Sequence, residues 1–318
     1  MPTRQGSFHL CRLAGIDLYL HWSWFVVAML EISSRRGSYG SLTFNALEYL
    51  ALFAIVLLHE MGHALACRSV GGKANEIVLW PLGGVAYMAP PMRPGATLWS
   101  IAAGPLVNVL LVFVLLGLRA VCTAMGWTES APDVPAFLRT LWYINLGLLI
   151  FNLLPIYPLD GGQIVRALLW FVIGRARSLL VASIIGFLGV AVMFLGVAAL
   201  FFGGRQQDAI WFGIMALFIS ANCWRGLQHA RTLARAARLP RRDGFMCPSC
   251  RTAPPIGTWW VCSQCRKPFD TFETQAVCPH CGAHFEVTRC LDCGEVHPFG
   301  EWCIPPPPVA QVITSGEK

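Results

Sequence analysis

A chain of 318 residues that is 55% hydrophobic and 13% charged, with a mean hydropathy of +0.55, is far poorer in charge than a soluble domain, where about 25% of residues are charged. That balance excludes a wholly water-soluble globule and puts most of the chain in lipid. The net charge of +7 is assigned to loops beside a membrane rather than to nucleic acid, on the placement given below.

In chain order, the opening MPTRQGSFHLCRLAGIDLYL lacks an apolar run followed by a small-residue cleavage site, so no removable signal is expected and the first apolar segment is read as an anchor. Apolar stretches at 16–32, 44–66, 97–121, 137–154, 178–203 and 208–224 approach the length of about 20 residues that crosses a bilayer as helix. Six spans are expected. Residues 77–89 are apolar but broken by Pro81, Gly83 and Gly84, which predicts a short extended hairpin dipping into the protein, where its backbone is sheltered from lipid. Beyond Arg225 the composition changes: residues 226–318 hold most of the cysteines, a basic run and the tract Pro305 to Pro308.

Loop charge gives an orientation. With both ends cytosolic, the inner loops carry Arg4, Arg12, Arg68, Lys73, Arg93, Arg166, Arg175 and Arg177, and six more arginines lie between Arg225 and Arg242. The outer loops carry Arg35, Arg36, Arg119, Arg139 and Arg205. The excess of inner cations places both termini, and the end of the second span near Arg68, on the cytosolic side.

That second span contains HEMGH, His59 to His63. A step of four on a helix sets two imidazoles on one face, one turn apart, where they can grip one metal ion. A catalytic zinc takes two such nitrogens and a carboxylate and keeps one position open, and Glu60 stands beside the ligands as a general base. A carboxylate at mid-membrane costs about 2.5 kcal/mol or more and persists where it has a partner or a task. For the third ligand few acids remain. Glu31 and Glu48 lie near span ends and Asp208 begins one, which leaves Asp160, whose flanking Pro155, Pro158, Gly161 and Gly162 break the helix and let the carboxylate bend toward a neighbour. The competing reading of Asp160 is an N-cap for a helix starting near Gly162. His21 is read as a structural hydrogen-bonding group outside the ligand set.

HEMGH at 59–63, AGPLVN at Ala103 to Asn108 and NLLPIYPLDG at Asn152 to Gly161 resemble, in order, the three signature segments of the site-2 protease family of intramembrane zinc metalloproteases. GIDLYLHWSWF (Gly15 to Phe25) and PLGG (Pro81 to Gly84) are similar to the bacterial branch that includes the sporulation-stage processing protease. The likeness covers residues 8–224. It implies that His59, His63 and Asp160 hold a catalytic zinc, that Glu60 is the general base, and that Asn108 and Asn152 lie near the site, supporting the substrate or its oxyanion. Their alternative is hydrogen-bonded glue between helices. It also implies a transmembrane protein as substrate, and the 77–89 segment offers an edge on which an unwound substrate strand can pair.

The tail carries CPSC (Cys247, Cys250), CSQC (Cys262, Cys265), CPHC (Cys278, Cys281) and CLDC (Cys290, Cys293). Each CxxC turn presents two thiolates, so four of them make two four-cysteine zinc sites resembling tandem ribbons, in a reducing compartment. Sequential pairing is expected, Cys247/Cys250 with Cys262/Cys265 and Cys278/Cys281 with Cys290/Cys293; interleaved pairing stays open. Cys303, His280, His284 and His297 are spare donors. Trp259, Trp260, Phe269, Phe272, Phe285 and Phe299 are expected to form the small cores, and such modules depend on metal to fold.

The expected whole is an all-α polytopic membrane protein of about six transmembrane helices with a short membrane-dipping β-hairpin, plus a small C-terminal zinc-ribbon domain. Its parts are a metalloprotease domain at 1–225, a basic juxtamembrane helix at 226–244 against anionic lipid, the ribbons at 245–303 and a disordered Pro-rich tail at 304–318. One catalytic and two structural zinc ions, a bacterial cell membrane with the active site toward the cytosol, and an unidentified cytosolic partner of the ribbons complete it. An inactive membrane scaffold whose ribbons bind a protein or nucleic acid is the rival, and the intact Glu60 argues against it.

Overall fold

The computed structural model describes residues 6–34, 37, 39–80 and 83–303. Pro81 and Leu82 of the expected hairpin tip, Arg35 and Arg36 of an expected outer loop, Arg4 of an expected inner loop and the 304–318 tail lie outside them. The chain divides into two compact units, Met1–Ala230 and Arg231–Lys318.

In the first unit two strands, β1 (Ser7–Leu13) and β2 (Ile16–His21), precede α1 (Ser23–Ser34) and the long α2 (Leu42–Ser69). Strands β3 (Lys73–Trp80) and β4 (Gly83–Ala89) form the expected hairpin. They are followed by α3 (Pro94–Ala124), the single turn α4 (Trp127–Ser130), α5 (Asp133–Leu153), α6 (Asp160–Ile173), α7 (Arg175–Phe202) and α8 (Gln206–Ala237). Five of these helices, α2, α3, α5, α7 and α8, are long and apolar enough to cross a membrane.

The expected first span at 16–32 is not a sixth such helix. Its first third is strand β2 and its helix α1 has 12 residues. The physical reason is pairing: β2 lies between β1, antiparallel, and β3, parallel, with Leu18 opposite Ile77, and the ladder holds the backbone extended. The segment still runs the length of α2. Arg68, in the last turn of α2, donates to the carbonyls of Ala14 (2.6 Å) and Gly15 (2.8 Å), whereas Gly40 binds the Asp133 carboxylate at 3.1 Å beside Ser41, the N-cap of α2. Six strand residues of about 3.3 Å and twelve helical residues of about 1.5 Å cover nearly 40 Å, close to the length of α2.

The hairpin expected at 77–89 is thus half of a four-stranded sheet, order β1-β2-β3-β4. One sheet face, with Ile16, Leu18, Ile77 and Leu79, packs on Val56, Met61, Ala64 and Cys67 of α2. Helices α2 and α3 approach closely at Gly62, where a Cβ would stand 2.8 Å from the Ala103 carbonyl oxygen.

The second unit consists of two short hairpins, β5 (Trp260–Val261) with β6 (Pro268–Phe269) and β7 (Val287–Arg289) with β8 (Val296–Pro298), and a 3-10 turn at Phe299–Trp302. Four CxxC turns repeat one backbone pattern: the N–H of residues 251, 266, 282 and 294 donates to the carbonyl of the first cysteine in its turn. The donors Arg251, Arg266, Gly282 and Gly294 all have positive φ. The core is Trp260, Phe269, Phe272 and Trp302, with Phe245, Phe285 and Phe299 against it. Trp259, expected inside, is half exposed, and Trp302, which sequence reasoning passed over, takes a central place.

Candidate metal centres

A single turn of α2 buries His59, Glu60 and His63 on the side facing α3 and the sheet. Helix α3 supplies the outer partners of both imidazoles from one stripe of residues four apart. The Ser100 carbonyl oxygen lies 2.9 Å from His63 Nδ1. A Cβ on Gly104 would stand 2.3 Å from His63 Nε2, so only glycine leaves room for the ring. Asn108 Oδ1 accepts from His59 Nδ1 at 2.5 Å.

This network fixes the protons. The Asn108 backbone carbonyl can only accept, so the Asn145 atom 2.9 Å from it is the amide nitrogen. The Asn145 oxygen therefore receives the Asn108 amide N–H at 2.8 Å, which turns Asn108 Oδ1 to His59. His63 Nδ1 likewise faces a carbonyl. Both rings carry a proton on Nδ1 and turn Nε2 inward, the nitrogen left to bind a metal ion.

Asp160 meets these two nitrogens. The competing N-cap role is not the one it takes: Leu159 occupies the N-cap, Asp160 is the first residue of α6 and no side chain caps the helix. Its Oδ2 lies 3.0 Å from His59 Nε2 and 3.2 Å from His63 Nε2, and the two nitrogens are 3.1 Å apart. Two imidazole nitrogens and a carboxylate oxygen turned to one point make a ready ligand set for a cation. Tetrahedral ligands about 2.0 Å from a zinc ion are spaced by about 3.3 Å. The donor set therefore fits a metal ion in spacing and in chemistry.

The loop that delivers Asp160 is clasped from behind. Cys223 of α8 donates its S–H to the Tyr157 carbonyl at 2.7 Å, Ile156 packs on Val190 and Ile219, and Gly189 passes so close that a Cβ there would meet Ile156 Cγ1 at 2.4 Å.

Glu60 stands on the sheet side. The Ala86 N–H of edge strand β4 donates to its Oε2 at 3.2 Å, and a Cβ on Gly84 would meet its Cγ at 2.2 Å. Of the two asparagines expected to face a substrate, Asn108 is turned away, because both ends of its amide are engaged by His59 and Asn145. Asn152 sits half-buried in the last turn of α5. His21 binds Ser23 Oγ and stacks on Trp80 with centroids 3.9 Å apart. Sequence reasoning missed Asn145, although a lone buried amide in an apolar helix is the signal that singled out Asn108.

In the second unit the eight cysteines form two tetrads, Cys247/Cys250/Cys290/Cys293 and Cys262/Cys265/Cys278/Cys281. This corrects the expected sequential pairing: the outer pairs meet each other and enclose the inner ones. The reason lies in the backbone. Phe245 bridges to Cys303 and the Met246 N–H donates to the Trp302 carbonyl at 2.8 Å, which closes the first turn onto the last. Cross-pair sulfur distances are 3.6–3.7 Å, close to the spacing of about 3.8 Å for thiolates 2.3 Å from one zinc. Cys303, His280, His284 and His297 belong to neither tetrad.

The sequence compares with known proteins in the same terms. The model of peptidase family M50 matches residues 48–131 and 120–196. The solved site-2 protease from Methanocaldococcus jannaschii is 30% identical, and the match covers 70% of this chain and 95% of that one, with a TM-score of 0.48. The chain belongs to peptidase family M50. Two curated proteins extend the comparison for this M50 chain. One, named zinc metalloprotease MJ0392, from M. jannaschii, is 35% identical over 57% of this chain and 50% of its own length. The other, named putative zinc metalloprotease Rip3, from Mycobacterium tuberculosis, is 30% identical over 68% of this chain and 58% of its own length. The chain thus spans about half the length of these curated relatives. The M50 match contains HEMGH, AGPLVN and Asp160 and ends before α8 and the cysteine unit. With five helices long and apolar enough to span, this M50 chain is an integral membrane protein.

Proposed function

We propose that the chain is a zinc metalloendopeptidase of the site-2 type, hydrolysing peptide bonds in or near transmembrane segments of membrane proteins. One observation carries the reading: two imidazole nitrogens and one carboxylate oxygen converge within 3.2 Å of each other beside a second, buried carboxylate. We assign the catalytic zinc to His59, His63 and Asp160 and one structural zinc to each cysteine tetrad. Zinc held there supplies Lewis acidity that polarises a peptide carbonyl and makes water a better acid.

The chain's own groups do the rest. Glu60 takes a proton from the attacking water and returns it to the leaving nitrogen. Its Oε2 is steadied by the Ala86 N–H, so the carboxylate is held for transfer and does not swing. Asn108 and Asn145 keep His59 in the ligating tautomer. Asn152 is the amide we assign to the substrate side. Strand β4 is the sheet's edge, and the Ala86 N–H points off its free side toward Glu60, so a substrate strand laid along β4 passes the general base.

The loop charges support an orientation with both termini and the active site toward the cytosol of a bacterial cell membrane, and a reducing cytosol suits thiolate ligands. The ribbons then serve a cytosolic partner, and the basic 226–244 segment meets anionic lipid.

Purified chain and a Glu60→Gln variant, each assayed for zinc per chain and for cleavage of a panel of single-span membrane proteins, test the reading. Three zinc ions in both, with cleavage in the wild type alone, supports it. Cleavage by Glu60→Gln at the wild-type rate overturns it.

A further inference from the structure

Asp160 reaches the imidazoles from the first turn of α6, and that turn rests directly on the backbone behind it. A Cβ on Gly161 would stand 2.3 Å from the Leu153 carbonyl oxygen, and one on Gly162 would stand 2.4 Å from the Tyr157 nitrogen. Neither position has room for a side chain. The start of α6 and the 153–157 segment are therefore in backbone contact, and a shift of one is passed to the other.

The segment meets most of its carbonyls from within. That of Leu154 accepts from the Ile156 N–H (2.7 Å), that of Ile156 from the Leu159 N–H (2.8 Å) and that of Leu159 from the Gln163 N–H (3.0 Å). The Gln163 side-chain amide donates to the Pro158 carbonyl at 2.9 Å. The Tyr157 carbonyl is met from another helix, by the S–H of Cys223 at 2.7 Å. Cys223 is fully buried and lies in α8, outside the residues that the M50 model matches. At membrane depth a backbone carbonyl needs a donor from the protein, so this bond ties the turn to α8.

Three glycines clear the slot in which the turn is seated. A Cβ on Gly186 of α7 would stand 2.7 Å from Cys223 Sγ and 3.2 Å from both the nitrogen and the carbonyl oxygen of Tyr157. One on Gly189 would meet Ile156 Cγ1 at 2.4 Å, and one on Gly226 of α8 would meet Tyr157 Cε1 at 2.7 Å. Ile156 packs in the same place on Val190, Ile219 and Cys223.

We propose that Cys223 and Gly226 are positioning residues for Asp160. The thiol fixes the Tyr157 carbonyl, the glycine lets the Tyr157 ring lie against α8, and the backbone contact at Gly161 and Gly162 carries that placement to the carboxylate. The inference rests on the reading of His59, His63 and Asp160 as metal ligands. Neither residue touches the metal or the substrate. A ligand set works when held to within about 0.5 Å, and groups that orient a ligand alter metal affinity by about 10–100-fold.

The test is zinc release from the full, zinc-loaded chain in competition with a chelator. An Asp160→Asn protein marks which zinc belongs to the centre and which to the cysteine tetrads. Cys223→Ala is expected to release the zinc of the centre about tenfold more readily, while the tetrad zinc holds as in the wild type. Cys223→Ser keeps a donor for the Tyr157 carbonyl and should stay within about twofold of the wild type. Cys122→Ala removes another buried thiol, near the end of α3, and should leave the zinc in place. Wild-type retention in Cys223→Ala overturns the proposal. An equal loss in Cys122→Ala marks a general loosening and overturns it too, as does an equal loss in Cys223→Ser. Should Cys223→Ala not purify as a single species, Gly226→Ala takes its place, with easier release supporting the assignment and wild-type release overturning it. A wild type that holds zinc in the tetrads alone overturns the reading of the centre itself, and this proposal with it.

Discussion

Asn145 donates to the backbone carbonyl of Asn108 and accepts from its side-chain amide, so two fully buried asparagines on neighbouring helices lock each other's orientation and, through it, the tautomer of His59. Replacing Asn108 by Ala removes the acceptor of His59 Nδ1–H. Partners of this kind alter metal affinity by about 10–100-fold. We expect Asn108→Ala to lose metal to a chelator that much more readily, and Asn145→Ala to shift it less in the same direction. Wild-type retention in Asn108→Ala, measured by competition with a zinc indicator, would contradict the network.

Two glycines make room for the centre. A methyl at Gly104 would lie 2.3 Å from His63 Nε2, and one at Gly84 would lie 2.2 Å from Glu60 Cγ, both far inside contact distance. Gly104→Ala is expected to abolish metal binding and cleavage together. Gly84→Ala displaces only Glu60 and should abolish cleavage while zinc stays bound. Helical circular dichroism of both should match the wild type; a Gly84→Ala protein that cleaves normally would show that Glu60 is not held where the sheet puts it.

The free side of β4 gives a separate test. Proline at position 88 removes a backbone donor from the edge while β4 keeps its other bonds to β3. A loss of cleavage at least tenfold, with zinc content unchanged, is the expected result. Normal turnover would remove strand pairing from the account of substrate presentation.

Nested and sequential cysteine pairings predict opposite zinc counts. Cys247→Ser with Cys290→Ser should cost one zinc ion, because both belong to one tetrad, whereas Cys247→Ser with Cys262→Ser should cost two. Sequential pairing demands the reverse, so metal analysis of the two double variants decides.

The second unit also has two identifiable stability determinants. Asp270 is buried and accepts from Arg242 (2.7 Å) and from the N–H groups of Gly257, Phe272 and Glu273. Asp270→Ala strands Arg242 and should destabilise the unit by about 3 kcal/mol. Arg251 and Arg266 hold φ near +56° and +58° at the turn position where the other two knuckles use glycine. Arg251→Gly should stabilise by roughly 0.5–1 kcal/mol. Urea melts with zinc present measure both.

The candidate metal half-site on α2 is readable from residue order, because HEMGH fixes two imidazoles and a carboxylate by helical repeat alone. So are the five long helices, whose apolar runs have the length of a bilayer, and the existence of two thiolate sites, which four CxxC turns announce. The strand character of 16–21 was not readable. An apolar run of that size suits helix or strand, and pairing with β3, more than fifty residues away, chose between them.

What the sequence by itself determined is therefore local: which atoms can bind metal, which segments are apolar, and which turns carry thiolates. Tertiary structure decided every relation across long separations. It brought Asp160 to within 3.2 Å of both imidazoles across about a hundred residues, turned Asn108 away from the substrate side and toward His59, and nested the cysteine pairs by closing Phe245 onto Cys303. Helical and turn periodicities act over a few residues, whereas these outcomes depend on which buried donor finds which acceptor once the helices have packed.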